Sequence, residues 1–262
     1  MDSGSAALRS VAPDVEKAFN TLQEIRPGGV HDEVLESPGV SRFAEQFRVD
    51  VSVIDDGMRD DLAMATGKHQ FDVVQMVWIS DVAPRVRSTL DALFGPSDWP
   101  EPARRYPVAS VWSALEEFMV SVAQHRALDA RLTELVRLRG ARQHDCRLCA
   151  SRRSQDAIAA GADDAEFAAV DDHANSDLPE SAKAALALVD AMIWTPTAIP
   201  DDVVARVREH LTDDQAVEVV LDVARNAANK IAVALRADAP EVTEGVQLFT
   251  TDADGTLTTL PG

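Results

Sequence analysis

Positive charge is scarce in this sequence. Its 262 residues carry 25 Lys and Arg against 44 Asp and Glu, which gives a formal net charge of -19. A chain this acidic repels nucleic acids and anionic lipid surfaces, so we expect neither to be its main partner. No apolar run reaches the roughly 18 residues that would suggest a membrane span. The start, at residues 1–5, is polar and acidic, so we expect no secretory signal and place the protein in the cytoplasm.

Aromatic residues and cysteines are also few. Aromatic residues make up 5% of the chain, with a single tyrosine, and there are two cysteines, too few for the disulfide framework of a small secreted domain. Apolar residues nevertheless account for 46%, which is too many for intrinsic disorder. A chain of this length and composition can bury a sizeable core, as one large domain or two modest ones.

What the sequence does contain is helical periodicity. Apolar residues recur every three or four positions and strand-like alternation is nearly absent, so we predict an all-α fold. One stripe, on a helix after Pro107, consists of Val111, Trp112, Leu115, Phe118, Met119 and Val122. Capping residues and prolines predict further helices at 129–140 with Asp129 as N-cap, from Cys146 to Gly161 with Asp145 as cap, at 180–194, at 201–210, and from the capping box at Thr212 to about Arg236.

The last predicted helix is apolar over most of its circumference, which indicates burial. Its polar stripe consists of Glu218, Asp222, Arg225, Asn226 and Asn229. No function is assigned to this stripe from the sequence.

A proline-rich segment divides the chain into an N-terminal helical lobe, 1–105, and a second unit, 106–240. The tail, 241–262, is Thr-rich around an Asp-Gly turn, which predicts a short hairpin or arm. An isolated hairpin is marginally stable, so this one must dock on the body or on a neighbouring subunit, or else be loose.

The N-terminal lobe also shows a weak internal similarity to the second unit. A shift of 145 residues aligns residues 40–91 with the last three predicted helices, pairing Asp56 with Asp201 and Arg85 with Lys230. We therefore hypothesise that the lobe is a degenerate repeat without cysteines.

Both cysteines lie in one Cys-x-x-Cys motif, at 146–149. At a helix start, free backbone N–H groups and the helix dipole favour a thiolate, and the two-residue spacing lets the sulfurs form a disulfide with little backbone motion. Arg147, Arg152 and Arg153 add positive charge, and Arg153 follows Cys149 by four residues, one helical turn, where it could touch the sulfur. The motif predicts an activated dithiol.

Two other interpretations of the cysteine pair stay open: a zinc site, or two inert buried thiols. Structural zinc takes four ligands, usually including a second pair of Cys or His. His144, His125 and His173 are available, but the sequence has no second Cys pair and no His-x₃-His spacing, and the nearby arginines disfavour a cation. We favour redox chemistry and expect neither a metal nor a cofactor.

Glu134 is the candidate proton carrier. It lies between apolar residues of the predicted helix 129–140, and a carboxylate between packed helices has a raised pKa and can exchange protons with a thiol. The spacing supports equally well an ion pair with Arg137 or Arg139. His144 is a second candidate proton carrier, although an exposed loop position is the favoured interpretation for it.

Residues 132–161 resemble the core motif of the AhpD-like, carboxymuconolactone decarboxylase superfamily: a Glu, followed twelve residues later by Cys-x-x-Cys. The likeness covers about 108–240, roughly half of the chain. It implies an all-α AhpD-like fold, a homo-oligomer, and thiol-dependent antioxidant activity as an alkylhydroperoxidase-type peroxidase or disulfide reductase. The resemblance makes Cys149 the peroxide-attacking thiolate, Cys146 the resolving thiol and Glu134 the proton-relay base, with regeneration by an external dithiol protein or a small thiol.

Two positions depart from the family's pattern. Hydroperoxidase members carry a relay His at the position of Leu148, and the downstream His of the motif is Arg153 here. Arginine keeps its proton at ordinary pH, so it stabilises a thiolate but cannot shuttle a proton. We therefore expect exchange with a disulfide substrate to survive more easily than turnover of a hydroperoxide. The alternatives are a redox-sensing or scaffolding protein without turnover, and a lactone or small-acid enzyme that keeps only the fold.

Overall fold

The computed structural model describes residues 3–101 and 105–261, and most of these are helical. The helices are α1 (Gly4–Val11), α2 (Pro13–Glu24), α3 (Asp32–Leu35), α4 (Pro38–Val49), α5 (Asp56–Thr66), α6 (Gln70–Phe94), α7 (Val111–Gln124), α8 (Ala130–Gln143), α9 (Arg147–Ala150), α10 (Gln155–Ala159), α11 (Asp164–Ala169), α12 (Glu180–Trp194), α13 (Asp201–His210), α14 (Asp213–Asn226) and α15 (Asn229–Ala234). The strands are β1 (Ile25–Pro27), β2 (Tyr106–Val108), β3 (Arg152–Ser154), β4 (Gln247–Thr251) and β5 (Leu257–Thr259). The fold is thus largely helical, with two small sheets, β1-β2 and β3-β4-β5.

Helices with clear capping signals lie where the sequence predicts them. At the start of α8, the Asp129 carboxylate accepts a hydrogen bond from the backbone N–H of Leu132 at 2.9 Å. Thr212 and Gln215 form the predicted reciprocal capping box at the start of α14. Helices α12 and α13 have the predicted bounds, because a proline fixes the backbone just before each first turn.

The predicted continuous helix from Cys146 to Gly161 is wrong. Helix α9 ends at Ala150, the chain continues as β3, and α10 begins after Ser154, whose hydroxyl accepts a hydrogen bond from the Ala157 N–H at 3.2 Å. The physical reason is non-local: β3 pairs in parallel with β4, about a hundred residues later, and so supplies backbone partners to the tail. The last predicted helix is likewise divided, into α14 and α15.

The predicted hairpin in the tail is confirmed. Strands β4 and β5 pair antiparallel, with Phe249 opposite Thr259, and the turn contains Gly255 at a φ of +84°. The hairpin docks on the body, since a Cβ at Gly255 would lie 2.6 Å from the carbonyl oxygen of Val120 in α7. Arg126 fastens the turn further by donating to the carbonyl oxygen of Asp252 at 2.7 Å.

The hydrophobic core is continuous across the predicted lobe boundary. Helix α2 packs on α7, and α6 packs on α14. Trp78 and Phe118, from the two sides of the boundary, form an aromatic pair with ring centroids 6.2 Å apart. None of the helices in 3–101 and 105–261 combines the length and apolar character needed to cross a membrane.

Some helix bounds coincide under the hypothesised repeat, although the unbroken α6 corresponds to a span that is divided into α14 and α15. With the shift of 145 residues, the ends of α4 and α12 coincide, and so do the starts of α5 and α13 at Asp56 and Asp201. Arg85, in α6, donates at 2.6 Å to the carbonyl oxygens of both Arg48 and Ile193, which occupy corresponding positions near the ends of α4 and α12. A duplication predicts such an arrangement, and superposition of the two segments is its test.

Candidate active site around the cysteine pair

Cys146 and Cys149 are joined by a disulfide at the start of α9, with their Cα atoms 5.3 Å apart. The predicted cap Asp145 is wrong: it has a φ of +50°, and the Cys146 sulfur accepts the Cys149 N–H at 3.3 Å. Both cysteines are buried, with 1% and 5% of their surfaces exposed. Cys149 is the one that lines a cleft of about 760 Å³, so a reagent in the cleft meets Cys149 first.

The cleft, called here the cysteine cleft, is lined by both apolar and polar side chains. Its volume lies in the range of small-molecule sites. Helix α7 and the hairpin provide Met119, Val120, Phe249 and Leu257, and the polar side chains are Ser113, Glu116, Glu117, Arg137, Arg152, Arg225, Asn226, Asn229 and Thr256. The tail, docked on α7, therefore forms part of the wall of the cleft.

Glu134 points inward, as its apolar neighbours predict, and it is also ion-paired. Its carboxylate is 2% exposed and accepts hydrogen bonds from Arg137 Nε at 2.6 Å, from Arg137 Nη2 at 2.7 Å and from the Ser154 N–H at 3.1 Å. Arg137 in turn donates to the carbonyl oxygens of Cys149 at 2.9 Å and Arg152 at 2.8 Å. The Glu134–Arg137 pair therefore fixes the backbone turn that carries Cys149.

The predicted placement of Arg153 one helical turn from the Cys149 sulfur is wrong, because β3 replaces the helix at that point. The Arg153 guanidinium donates to the carbonyl oxygen of Ala150 at 2.8 Å and lies over the Phe167 ring, 5.6 Å from its centroid. Burial lowers its pKa, and the neighbouring arginine charges act in the same direction. These contacts give Arg153 a packing role.

The other two arginines of the motif are neutralised by acids of the chain that follows α15. Arg147 pairs with Asp238 at 2.7 Å, and Arg152 pairs with Glu241 at 2.6 Å. Asp238 also accepts the backbone N–H of Arg147 at 3.0 Å, at the start of α9. The positive charge expected to act on the thiols is therefore largely offset.

The favoured exposed position of His144 is wrong. His144 ends α8, is 6% exposed, and lines a small separate cavity together with Asp81, Arg85 and Lys230. Burial lowers its pKa well below the ordinary value, and the charges of Lys230 and Arg85 contribute. The structure does not bring His144 to the cysteine cleft.

The polar stripe of α14 is the part of the site that sequence reasoning left without a role. Glu218, Asp222, Arg225 and Asn226 line a second cavity of about 110 Å³, called here the acid cavity. It shares Arg137, Arg225, Asn226 and Phe249 with the cysteine cleft. The signal was a polar stripe on an otherwise apolar helix.

Two acids in this cavity titrate near neutral pH. Burial, together with repulsion from Asp222, raises the pKa of Glu218 to about 8. Burial raises the pKa of Asp222 to about 7. Glu218 accepts the backbone N–H of Leu128 at 2.9 Å, whereas Asp222 Oδ2 and His125 Nε2 have no hydrogen-bond partner in the described chain. The acid cavity therefore holds exchangeable protons beside the cysteine cleft.

Among the side chains described, no group of three or more His, Cys, Asp or Glu residues is placed to hold a metal ion.

Comparison with known proteins finds relatives in Mycobacterium tuberculosis. Over 234 residues the chain is 42% identical to uncharacterized protein MT2376 of strain CDC 1551 and to uncharacterized protein Rv2313c of strain H37Rv. Each match covers 84% of this chain and 81% of the relative. No family model and no solved structure matches the chain.

Proposed function

For a chain that belongs to the family of the mycobacterial proteins MT2376 and Rv2313c, we propose the function of a thiol-dependent antioxidant oxidoreductase. It cycles Cys146 and Cys149 between dithiol and disulfide, in the reducing cytoplasm, where structural disulfides are rare. The observation that carries the proposal is the disulfide at the start of α9 with Cys149 in the wall of the cysteine cleft. The resemblance of residues 132–161 to the AhpD-like motif supports the same chemistry.

The catalytic cycle starts from the reduced pair. The Cys149 thiolate attacks a hydroperoxide, the S–O bond forms as the O–O bond breaks, and the departing alkoxide takes a proton to leave as an alcohol. The Cys146 thiol then attacks the sulfenic acid at Cys149, which forms the disulfide and releases water. An external dithiol reduces the disulfide by two exchange steps and is itself oxidised. With a disulfide substrate, the pair is oxidised directly by the same exchange.

The proton carrier in this scheme differs from the family's pattern. Because Glu134 is held by Arg137 and the Ser154 N–H, we assign it a positioning role for the Cys149 turn. The candidate proton donors are Asp222 and Glu218, whose cavity shares its wall with the cysteine cleft. The enzyme is further proposed to act as a homo-oligomer, for which size-exclusion chromatography with light scattering is the test.

The test of this function compares two nearly identical changes within one turn, Cys149→Ser and Cys146→Ser. Turnover of several hydroperoxides and of a small disulfide is measured with a regenerating dithiol. Cys149→Ser should abolish both activities, whereas Cys146→Ser should retain one stoichiometric oxidation and leave a sulfenic acid that a dimedone probe traps. Equal behaviour of the two variants contradicts the assigned roles.

The alternative without turnover is a redox sensor, and the burial of both cysteines is the observation that favours it. A sensor would show a disulfide that forms and is reduced stoichiometrically, with no peroxide or disulfide consumed in multiple cycles. Alkaline thiol pKa values in both cysteines would support the sensor over the enzyme.

A further inference from the structure

Arg225 is the unmatched cation of the site. It lines both the cysteine cleft and the acid cavity, yet within 3–101 and 105–261 its guanidinium forms neither a side-chain hydrogen bond nor an ion pair. The other two arginines of the cleft each have an acid partner, Arg137 with Glu134 and Arg152 with Glu241. Burial lowers the pKa of Arg225, and the Asp222 carboxylate, three residues earlier on α14, acts in the opposite direction. Arg225 is partly exposed at the wall of the cleft, where a cation without a hydrogen-bonded acid can bind an anion that enters.

The surroundings of Arg225 define what kind of anion fits. Asn226 and Asn229 add hydrogen-bonding groups to the lining of the cysteine cleft, and Met119, Val120, Phe249 and Leu257 add apolar surface. The volume of about 760 Å³ is much larger than an inorganic ion needs. The walls therefore suit a molecule with an anionic head and an apolar body.

We propose that the cysteine cleft binds an amphipathic organic carboxylate, with the carboxylate on Arg225 and the apolar body against the apolar lining residues of α7 and the hairpin. The guanidinium geometry matches a carboxylate through two parallel hydrogen bonds. This assignment adds a substrate class to the proposed function. It rests on that function only where it places the reactive group of the substrate near Cys149. The substrate class is then a carboxylate-bearing hydroperoxide or disulfide.

Other charged groups face this site from each surrounding element. Glu116 and Glu117 of α7 are exposed at the cleft, where solvent screens them. The acid cavity is lined on its remaining sides by His125, Arg126, Glu134, Arg137, Asp156, Glu218 and Asp222. Glu134 is already matched by Arg137, so Asp222 and Glu218 are the acids whose ionisation would oppose an anion on Arg225.

The test measures binding without chemistry. Decanoate is titrated calorimetrically into the oxidised full-length protein below its micelle concentration, and decanol and decyltrimethylammonium are titrated in parallel. We expect decanoate alone to bind well, and Arg225→Gln to weaken it about 10-fold or more, because a charge-assisted bidentate contact is lost. Arg225→Lys should retain part of the affinity, and the exposed control Arg42→Gln should retain all of it.

Equal decanoate affinity in the wild type and in Arg225→Gln overturns the proposal, and so does decanol binding as tightly as decanoate or the absence of decanoate binding. Circular dichroism verifies that each variant is folded. The outcome is separable from that of the proposed function, because decanoate binding needs no turnover. If the enzyme turns over a carboxylate-bearing substrate and Arg225→Gln leaves the KM for that substrate unchanged, the oxidoreductase function is supported and the carboxylate site is contradicted.

Discussion

Two cavities lined partly by α14 each contain acidic and basic side chains, and they differ in how completely these charges are matched. In the centre of the fold, Asp81 accepts Lys230 Nζ at 2.5 Å and Arg85 Nε at 2.7 Å. Lys230 also lies 4.5 Å from the centroid of the Phe47 ring. In the acid cavity, by contrast, Asp222 Oδ2 has no partner in the chain described. A saturated cluster holds helices together, whereas an unsaturated one beside a cleft is available to a ligand or a proton.

The largest expected effect is on the saturated cluster. Asp81→Asn leaves the Lys230 and Arg85 charges buried without their partner and should lower the free energy of unfolding by about 3–5 kcal/mol. Urea denaturation followed by circular dichroism gives the value. The control is Asp56→Asn, which removes an exposed pair with Arg236 and should change stability by less than about 1 kcal/mol. Similar losses in both variants would refute the distinction between the clusters.

The pH dependence of stability tests the unsaturated cluster. Glu218 has a pKa of about 8 in the fold against an ordinary 4.5, and Asp222 has about 7 against 3.8. Between these values the folded chain holds protons that the unfolded chain has released, so raising the pH favours unfolding. Stability should fall between about pH 5 and pH 8, by at most about 1.4 kcal/mol per pH unit for each group.

If Glu218 and Asp222 cause this pH dependence of stability, replacing them by the corresponding amides should remove it. Glu218→Gln and Asp222→Asn should each flatten the stability curve in this range, while Asp171→Asn, an exposed acid, should leave it unchanged. Stability that rises steadily from pH 5 to pH 8 would show that both acids ionise in the folded state with little loss of stability.

A smaller effect is expected from Asp238→Asn, which weakens the pair with Arg147 and the contact to its backbone N–H at the start of α9. Loss of this partly exposed pair should cost about 1 kcal/mol. It should also lower the pH at which the reduced thiols react with iodoacetamide, because the Arg147 charge is then less compensated. An unchanged alkylation profile would separate Arg147 from the thiols.

The smallest change in stability is expected at Arg225. Arg225→Gln removes a cation that forms no ion pair within the described residues, so the free energy of unfolding should stay within about 1 kcal/mol of the wild type. Thermal and urea denaturation check this value. A loss of unfolding free energy comparable to that of Asp81→Asn would show that Arg225 has a structural role. The two clusters would then not differ in their contribution to stability.

Local signals in the sequence were sufficient for much of this fold. Asp129 and the Thr212 capping box fix helix starts because a cap needs only its own turn. The break at β3 could not be predicted in this way, because the strand forms in order to pair with β4. The local sequence of residues 150–155 contains no information about a partner strand so far along the chain.

The site was predictable to a similar extent. The spacing of Cys146 and Cys149 suffices for the disulfide, and the apolar neighbours of Glu134 suffice for its burial. Its pairing with Arg137 was one of two interpretations that spacing supported equally. His144 and Arg153 were misplaced, since their surroundings come from α6, α15 and Phe167, which no local pattern connects to them.

The docked hairpin has a consequence for how the protein is made. Residues 247–259 close one wall around Cys149, and Gly255 fits against α7 where no side chain has room. Synthesis runs from the N-terminus, so the cysteine motif leaves the ribosome well before this wall exists. A nascent chain therefore has its dithiol uncovered, and translation must continue past the last strand before the cleft is complete.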